Sequence, residues 1–405
     1  MVGNRTQIRM LTVASVSLLL SILVWFNYSA VLPRIVAEWD LSGIHAGLIF
    51  GAFQAGYLVA IIPAGVLVDR YSPRWVIAVG SAVTGVASLG FAAVATGFLD
   101  GTLLRFMAGI GMAGVYVPGM RFVADWYTET GRGTAMGIYI GTFSLGSGLS
   151  FLISSAVASA VDWRTAIAVT SVGALVVAPL ILTIGRDAPT KTRETSDFDL
   201  SILRNRSYLA AVSVYSWHNW ELFGVRNWLV AFLLATPAIA ATGQPELTAG
   251  TLAGVMIAVG GLGNVIGGTL SDRVGRVRII AGALFMSGLI SAVLGMLQGL
   301  ALIGLVALVL CYGLVLTMDS APTSTVITEL VADEHVGMAL SVQSFIGFST
   351  TVISPVVFGW TLDAGGYALA FPTLAAGACI ALCSTAALRS TREKTATQTA
   401  QTSDI

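Results

Sequence analysis

Between residues 10 and 185 the chain is a succession of six apolar runs, near 10–32, 43–68, 75–96, 100–124, 134–158 and 163–185, broken only by turns or a few charges. Each is long enough to cross the hydrocarbon core of a bilayer, which takes about 20 helical residues. In lipid no water pairs with backbone amides, so a spanning segment must satisfy them internally, as a helix does. Six more runs follow, near 207–236, 248–271, 277–298, 300–328, 335–362 and 366–388. The pattern predicts an all-α membrane protein with twelve transmembrane helices. Composition agrees: of 405 residues 56% are hydrophobic and only 10% charged, against about 25% charged for a soluble protein. The first run is too long for the core of a signal peptide and reads as a retained span. Twenty-one basic residues balance twenty-one acidic ones, which leaves no basic stripe for a nucleic acid. Cys311, Cys379 and Cys383 all fall in apolar runs, an odd number without a disulfide framework, and read as small packing residues.

The longest polar segment before the tail is GRDAPTKTRETSDFDLSILRNR, residues 185–206, which divides the chain near its middle. The expected organisation is a first bundle over 1–185, a linker over 186–206, a second bundle over 207–388 and a Thr-rich, disordered tail over 389–405. Sixteen of the twenty-one Lys and Arg fall in segments on one side if both termini lie there. Because cytoplasmic loops retain basic residues, that side is the cytoplasm and the membrane the inner, cytoplasmic one. The two halves share a register: Pro33 to Pro237, Pro118 to Pro322 and Gly133 to Gly337 are each 204 residues apart, and Asp69 to Asp272 is 203. One offset serving four spans predicts two pseudo-symmetric six-helix bundles, and a monomer is expected.

The same device ends the second span of each half. GVLVDRYSPR carries Gly65, Asp69, Arg70 and Arg74, and GGTLSDRVGR carries Gly268, Asp272, Arg273, Gly275 and Arg276. An Asp at a helix end can pair with nearby Arg and face the positive N-terminus of another helix, so Asp69, Arg70, Arg74, Asp272, Arg273 and Arg276 read as a conformational latch, with Arg121 as a partner. Twelve spans as six plus six, with this G-x-x-x-D-R-x-G-R signature, resemble the major facilitator superfamily. The Arg105-x-x-x-Gly109-x-Gly111 pattern and Arg132-Gly133 resemble it too. In family terms the glycines stepping by four in the fifth span (Gly133, Gly137, Gly141) and crowding the eighth (Gly260, Gly263, Gly267) resemble the interface between halves. The family's drug exporters carry a proline where this fifth span has Thr142, and its nitrate carriers an Arg in the second and eighth spans, where this chain has none.

Charges within spans carry the functional signal, since each costs about 2.5–3.5 kcal/mol near a helix centre. Arg105 in the fourth span, Glu221 and Arg226 in the seventh and Asp319 in the tenth are therefore expected to line a wet cavity. His218 and Glu221 lie three apart and share a helix face, which suits proton handling, as does Asp319 beside the helix-breaking Pro322. Pro118 is the equivalent of Pro322, so the fourth and tenth spans are expected to bend alike. Asn27, Tyr28, Gln54, Tyr57, Trp217, Asn264 and Gln343 are polar or aromatic candidates for the cavity wall. Arg105 and Arg226 favour a carboxylate or other small organic anion, because a guanidinium pairs with such groups through two parallel bonds.

Together these features predict a secondary transporter working by alternating access, with an anion drawn to Arg105 and a proton carried by Glu221, Asp319 or His218. The alternative is a proton-driven exporter of apolar or cationic compounds, using Glu221 and Asp319 as cation-binding acids. An intramembrane enzyme would need a nucleophile paired with His218, and no nucleotide loop or metal-spaced cluster suggests other chemistry. No cofactor or metal is expected; the partners are a small molecule, protons and the lipid bilayer.

Overall fold

The computed structural model describes residues 4–127, 131–189, 200–331 and 336–403; the side chains of Asn4, Asp69, Leu200, Ser201 and residues 336–337 and 391–403 lie outside that description. Among the described residues every regular element is helical. The first six are α1 (Asn4–Trp39), α2 (Gly43–Arg70), α3 (Pro73–Val94), α4 (Phe98–Trp126), α5 (Arg132–Ala160) and α6 (Trp163–Thr183). A 3-10 turn at Leu200–Arg204 leads into α7 (Arg206–Leu234), the single turn α8 (Pro237–Ala240), α9 (Pro245–Val274) and α10 (Arg276–Leu294). The chain ends with α11 (Leu302–Leu316), α12 (Ser320–Glu329) and α13 (Val336–Ser403).

Among the described residues, ten segments are long and apolar enough to cross a membrane. Two further spans complete the twelve: α7, which is as long as its neighbours but polar, and the second half of α13, whose helix is interrupted at Gly365 and Gly366. Gly366 has φ 68°, a region that glycine enters without a Cβ penalty. The other turns are set locally. Ser42 accepts a hydrogen bond from the His45 amide and starts α2, Asp162 accepts from the Thr165 amide and starts α6, and Pro73 occupies the first turn of α3. Large apolar side chains such as Val59, Ile62, Val79, Val86 and Leu103 are exposed on the spans, as a surface bathed in lipid requires. Cys311, Cys379 and Cys383 are likewise exposed and are not interior packing residues. The segment read from its composition as a disordered tail continues α13 as helix to Ser403; extending an existing helix avoids the cost of nucleation.

The chain packs as two compact units, the first of residues 1–194 with 226–258 and the second of 195–225 with 259–405. In the first, α5 and α9 cross where a Cβ on Gly148 would meet the Gly254 carbonyl oxygen at 2.9 Å, and one on Gly254 would meet that of Gly148 at 2.7 Å. This crossing is not at the glycines singled out by spacing. A Cβ on Gly133, Gly137 or Gly141 would meet nothing within 4 Å. Gly263 and Gly267 of α9 face the tenth span of their own unit, where a Cβ would lie 2.1 Å from the Leu314 carbonyl oxygen and 1.9 Å from that of Met318.

The tenth span is where the helix breaks. Pro322 has no N–H to give the Met318 carbonyl and its ring crowds that group, and the span divides into α11 and α12 across residues 317–319. Two side chains hold the break open: the Thr317 hydroxyl donates to the Gly260 carbonyl, and Asp319 turns to α7. The equivalent Pro118 lies inside an unbroken α4, so the two spans do not bend alike. Around Pro118, Gly80 of α3 lies against Gly114, and the Tyr139 hydroxyl of α5 donates to the Tyr116 carbonyl at 3.1 Å.

Candidate functional site

In the first unit the buried polar residues form one junction. Arg105 on α4 is 1% exposed. Its Nη1 donates to the Val24 carbonyl at 3.0 Å and the Asn27 side-chain oxygen at 3.3 Å, and its Nη2 to the Trp25 carbonyl at 3.1 Å. The guanidinium also lies 4.4 Å from the centre of the Phe53 ring and 5.6 Å from that of Tyr28. Asn27 on α1 passes the contact on, its amide nitrogen donating to Thr170 on α6 at 3.0 Å and Ser88 on α3 at 3.4 Å. Tyr28 donates to the Ala46 carbonyl on α2. Five helices thus meet through three side chains that spacing marked for substrate, and Arg105 spends both terminal nitrogens on α1.

Other candidates in this unit are placed differently. Gln54 is buried, and neither its amide nitrogen nor its oxygen has a hydrogen-bond partner among the described residues. Tyr57 packs on Trp25 with ring centres 5.1 Å apart. Arg226, from the latter part of α7, is 8% exposed and lies 5.7 Å from the Phe26 ring centre on α1. Next to it the Asn227 side-chain oxygen accepts from Ser29 at 3.1 Å. Arg34, near the end of α1, makes a bidentate pair with Glu246 in the first turn of α9, with Nε to Oε1 at 2.8 Å. Sequence reading missed that pair, since nothing in the spacing of 212 residues links the two.

The second unit holds the acids. His218 Nδ1 stands 3.0 Å from Asp319 Oδ1, both side chains at most 3% exposed, and His218 Nε2 is 3.1 Å from the Ser320 hydroxyl. His218 therefore turns to Asp319 and not to Glu221, one turn along α7. Glu221 is fully buried among hydroxyls: Ser291 donates to Oε1 at 2.7 Å, Tyr312 to Oε1 at 3.1 Å and Ser287 to Oε2 at 3.0 Å. Ser287 and Ser291 are four apart in an otherwise apolar span, a same-face pair that signalled a polar partner and was not used. Trp217 packs beside Trp220, Gln343 is buried with its side-chain oxygen unpartnered, and Asn264 is exposed.

The latch residues are partly paired. Arg276 reaches Asp272 at 3.0 Å and Glu329, the last residue of α12, at 2.6 Å. In the first half Arg74 pairs with Asp187, just after α6, at 3.0 Å and donates to the Gly185 carbonyl at 2.9 Å. The Asp69 side chain lies outside the described residues. Arg121 pairs with Asp125 on its own helix at 3.0 Å, and Arg70 and Arg273 are exposed. Asp187 and Glu329 are the partners that sequence reading missed.

Known proteins place this architecture. A probable sulfoacetate transporter of Cupriavidus necator is 27% identical over 377 residues, covering 85% of either chain. A hexuronate transporter of Bacillus subtilis is 25% identical over 355 residues, covering 82% of this chain and 83% of its own. The fold matches a crystal structure of a bacterial homolog to the human lysosomal transporter Spinster, in an inward-facing and occupied conformation, with a TM-score of 0.80 over 95% of this chain and 97% of the other at 16% identity. The family model of the Major Facilitator Superfamily matches twice, over residues 14–243 and 222–404. With twelve spans, the repeated Asp-Arg device and both halves of the chain covered by that model, the protein belongs to the Major Facilitator Superfamily.

Proposed function

We propose that this chain is a secondary active transporter that carries a small organic anion through the membrane by alternating access, coupled to proton entry. The observation that carries the anion reading is Arg226, a cation held inside a span at 8% exposure. Burying such a charge is costly enough that a transport protein retains it for a purpose. Relatives covering most of the chain are named for sulfoacetate and hexuronate, both small anions bearing a carboxylate. Arg226 is the group that pairs with that carboxylate, while Arg105 holds α1 against α4. Gln54 and Gln343 supply neutral hydrogen bonds, because the Gln54 nitrogen and oxygen and the Gln343 oxygen are buried without a partner among the described residues, and such atoms are rarely left unsatisfied when a ligand or water can reach them. Tyr57 is the further candidate in the first unit, and Trp217 and Asn264 are those in the second. Acids in the second unit supply the proton-binding group, and the Arg276 pairs with Asp272 and Glu329 must break and re-form as α12 moves against α9 and α10.

The experiment is counterflow in liposomes without any ion gradient. Vesicles preloaded with unlabelled sulfoacetate or glucuronate are expected to take up the labelled anion transiently, and Arg226→Lys, which keeps the charge but loses the planar fork, to raise the half-saturating concentration at least tenfold. Counterflow with neither anion nor any member of a carboxylate and sulfonate panel contradicts the anion reading.

A further inference from the structure

Two acids lie buried in the second unit, and their surroundings differ in kind. Glu221 is held by hydroxyls from two neighbouring helices: its oxygens lie within hydrogen-bond distance of Ser287 and Ser291 of α10 and of Tyr312 of α11. Asp319 is the reverse. Its Oδ1 is 3.0 Å from His218 Nδ1, yet neither of its oxygens accepts a hydrogen bond among the described residues although both are buried. An acceptor left in that state is costly, and a proton on it relieves the cost.

Position adds a second argument. Asp319 sits in the break of the tenth span, at the N-terminal end of the ten-residue α12, yet its side chain makes no capping bond to that helix. With His218 neutral, the dyad carries one negative charge. That charge lies beside the positive end of α12 and is attracted to it. Other titratable groups near the dyad are Glu221 from α7 and Tyr312 from α11. From the packed segments α9 brings none over residues 259–270, α10 none over 279–294 and α13 none over 338–360.

We infer that the His218–Asp319 dyad is the proton-binding site of the transport cycle, the proton entering on the Asp319 carboxylate, and that Glu221 is a fixed anchor joining α7 to α10 and α11. This rests on the transport reading above. Proton binding takes the dyad from one negative charge to none, with His218 and Ser320 keeping their hydrogens. Loss of that charge changes what the N-terminal end of α12 presents to His218 on α7, and the break at residues 317–319 gives α12 the freedom to move. Such a link lets the proton gradient bias one conformation, since only a difference in proton affinity between two states can shift them.

The test needs no substrate. The full chain in phosphatidylcholine liposomes is followed by infrared difference spectroscopy through a pH titration. A band for a buried protonated carboxyl is expected to grow as pH falls, to be absent in Asp319→Asn, to persist in Glu221→Gln and to move its midpoint in His218→Gln. Asp319→Glu guards against misfolding of the Asn variant and should return the band at a displaced frequency. A band lost in Glu221→Gln and kept in Asp319→Asn overturns the assignment, as does the lack of any such band in the native chain. A chain that transports nothing would remove the transport reading while leaving this titration standing. A chain that transports but still accumulates anion on a pH gradient as Asp319→Asn would remove the dyad alone.

Discussion

Arg105 shows how a charge inside a span divides into two problems, where it is and what it touches. The first is written in the sequence, because a lone Arg in an apolar run is visible. The second is not, because two of its three acceptors are main-chain carbonyls of α1, and a carbonyl has no residue identity. The geometry separates the two deep arginines. Arg105→Lys removes the fork that reaches Val24, Trp25 and Asn27 together and should lower stability by about 1–3 kcal/mol, measured as thermal unfolding in detergent, with little effect on the anion concentration for half-maximal uptake. Asn27→Ala acts on the same junction, so the double variant should depart from the sum of the single ones by about 0.5–3 kcal/mol. Additive losses would mean that the junction is not a unit. Arg226→Lys should show the opposite division, with affinity impaired and the melting temperature unchanged.

Helix caps and glycines carry the next set of consequences. Asp162 caps α6, and hydrogen bonds from the Thr165 amide hold its carboxyl below the usual range. A depressed folded-state value means that the cap contributes above the unfolded carboxyl pKa and is lost as pH falls through the folded value. Asp162→Ala should therefore cost about 1 kcal/mol at neutral pH, and the difference from the native chain should shrink in acid unfolding curves. In α9 an alanine at Gly263 or Gly267 meets backbone oxygens of the tenth span, and overpacking of that kind costs about 1–3 kcal/mol. Gly137→Ala in α5 meets nothing within 4 Å and should gain up to about 1 kcal/mol of helix stability. Unfolding temperatures that rank these three variants in any other order would contradict the packing. Both glycine runs were legible as close-packing signals, but spacing alone could not tell which run had a neighbour. The break in the tenth span was legible from Pro322, and its position three residues upstream was not. Thr317 and Asp319 decide it through contacts to α9 and α7, which are distant in sequence.

Across the whole molecule, the repeat at an offset of 204 residues and the succession of apolar runs carried the twelve spans and the family, because lipid leaves few ways to satisfy a backbone. Pairing was hidden where it joins residues far apart, as in Arg34 with Glu246, Arg74 with Asp187 and Arg276 with Glu329. His218 with Asp319 belongs to the same class: each residue stood out alone, but the pair is made by packing α7 against the broken tenth span. The central claim joins an anion to a proton, and one measurement tests both. The chain is reconstituted in liposomes holding a pH-sensitive dye, the outside is made acidic, and sulfoacetate, glucuronate and a panel of lipophilic cations are added in turn. Internal acidification that begins on adding one of the anions and is abolished in Asp319→Asn is the predicted result. Proton movement triggered only by the cations, against their flow, would contradict the account and make the protein an exporter.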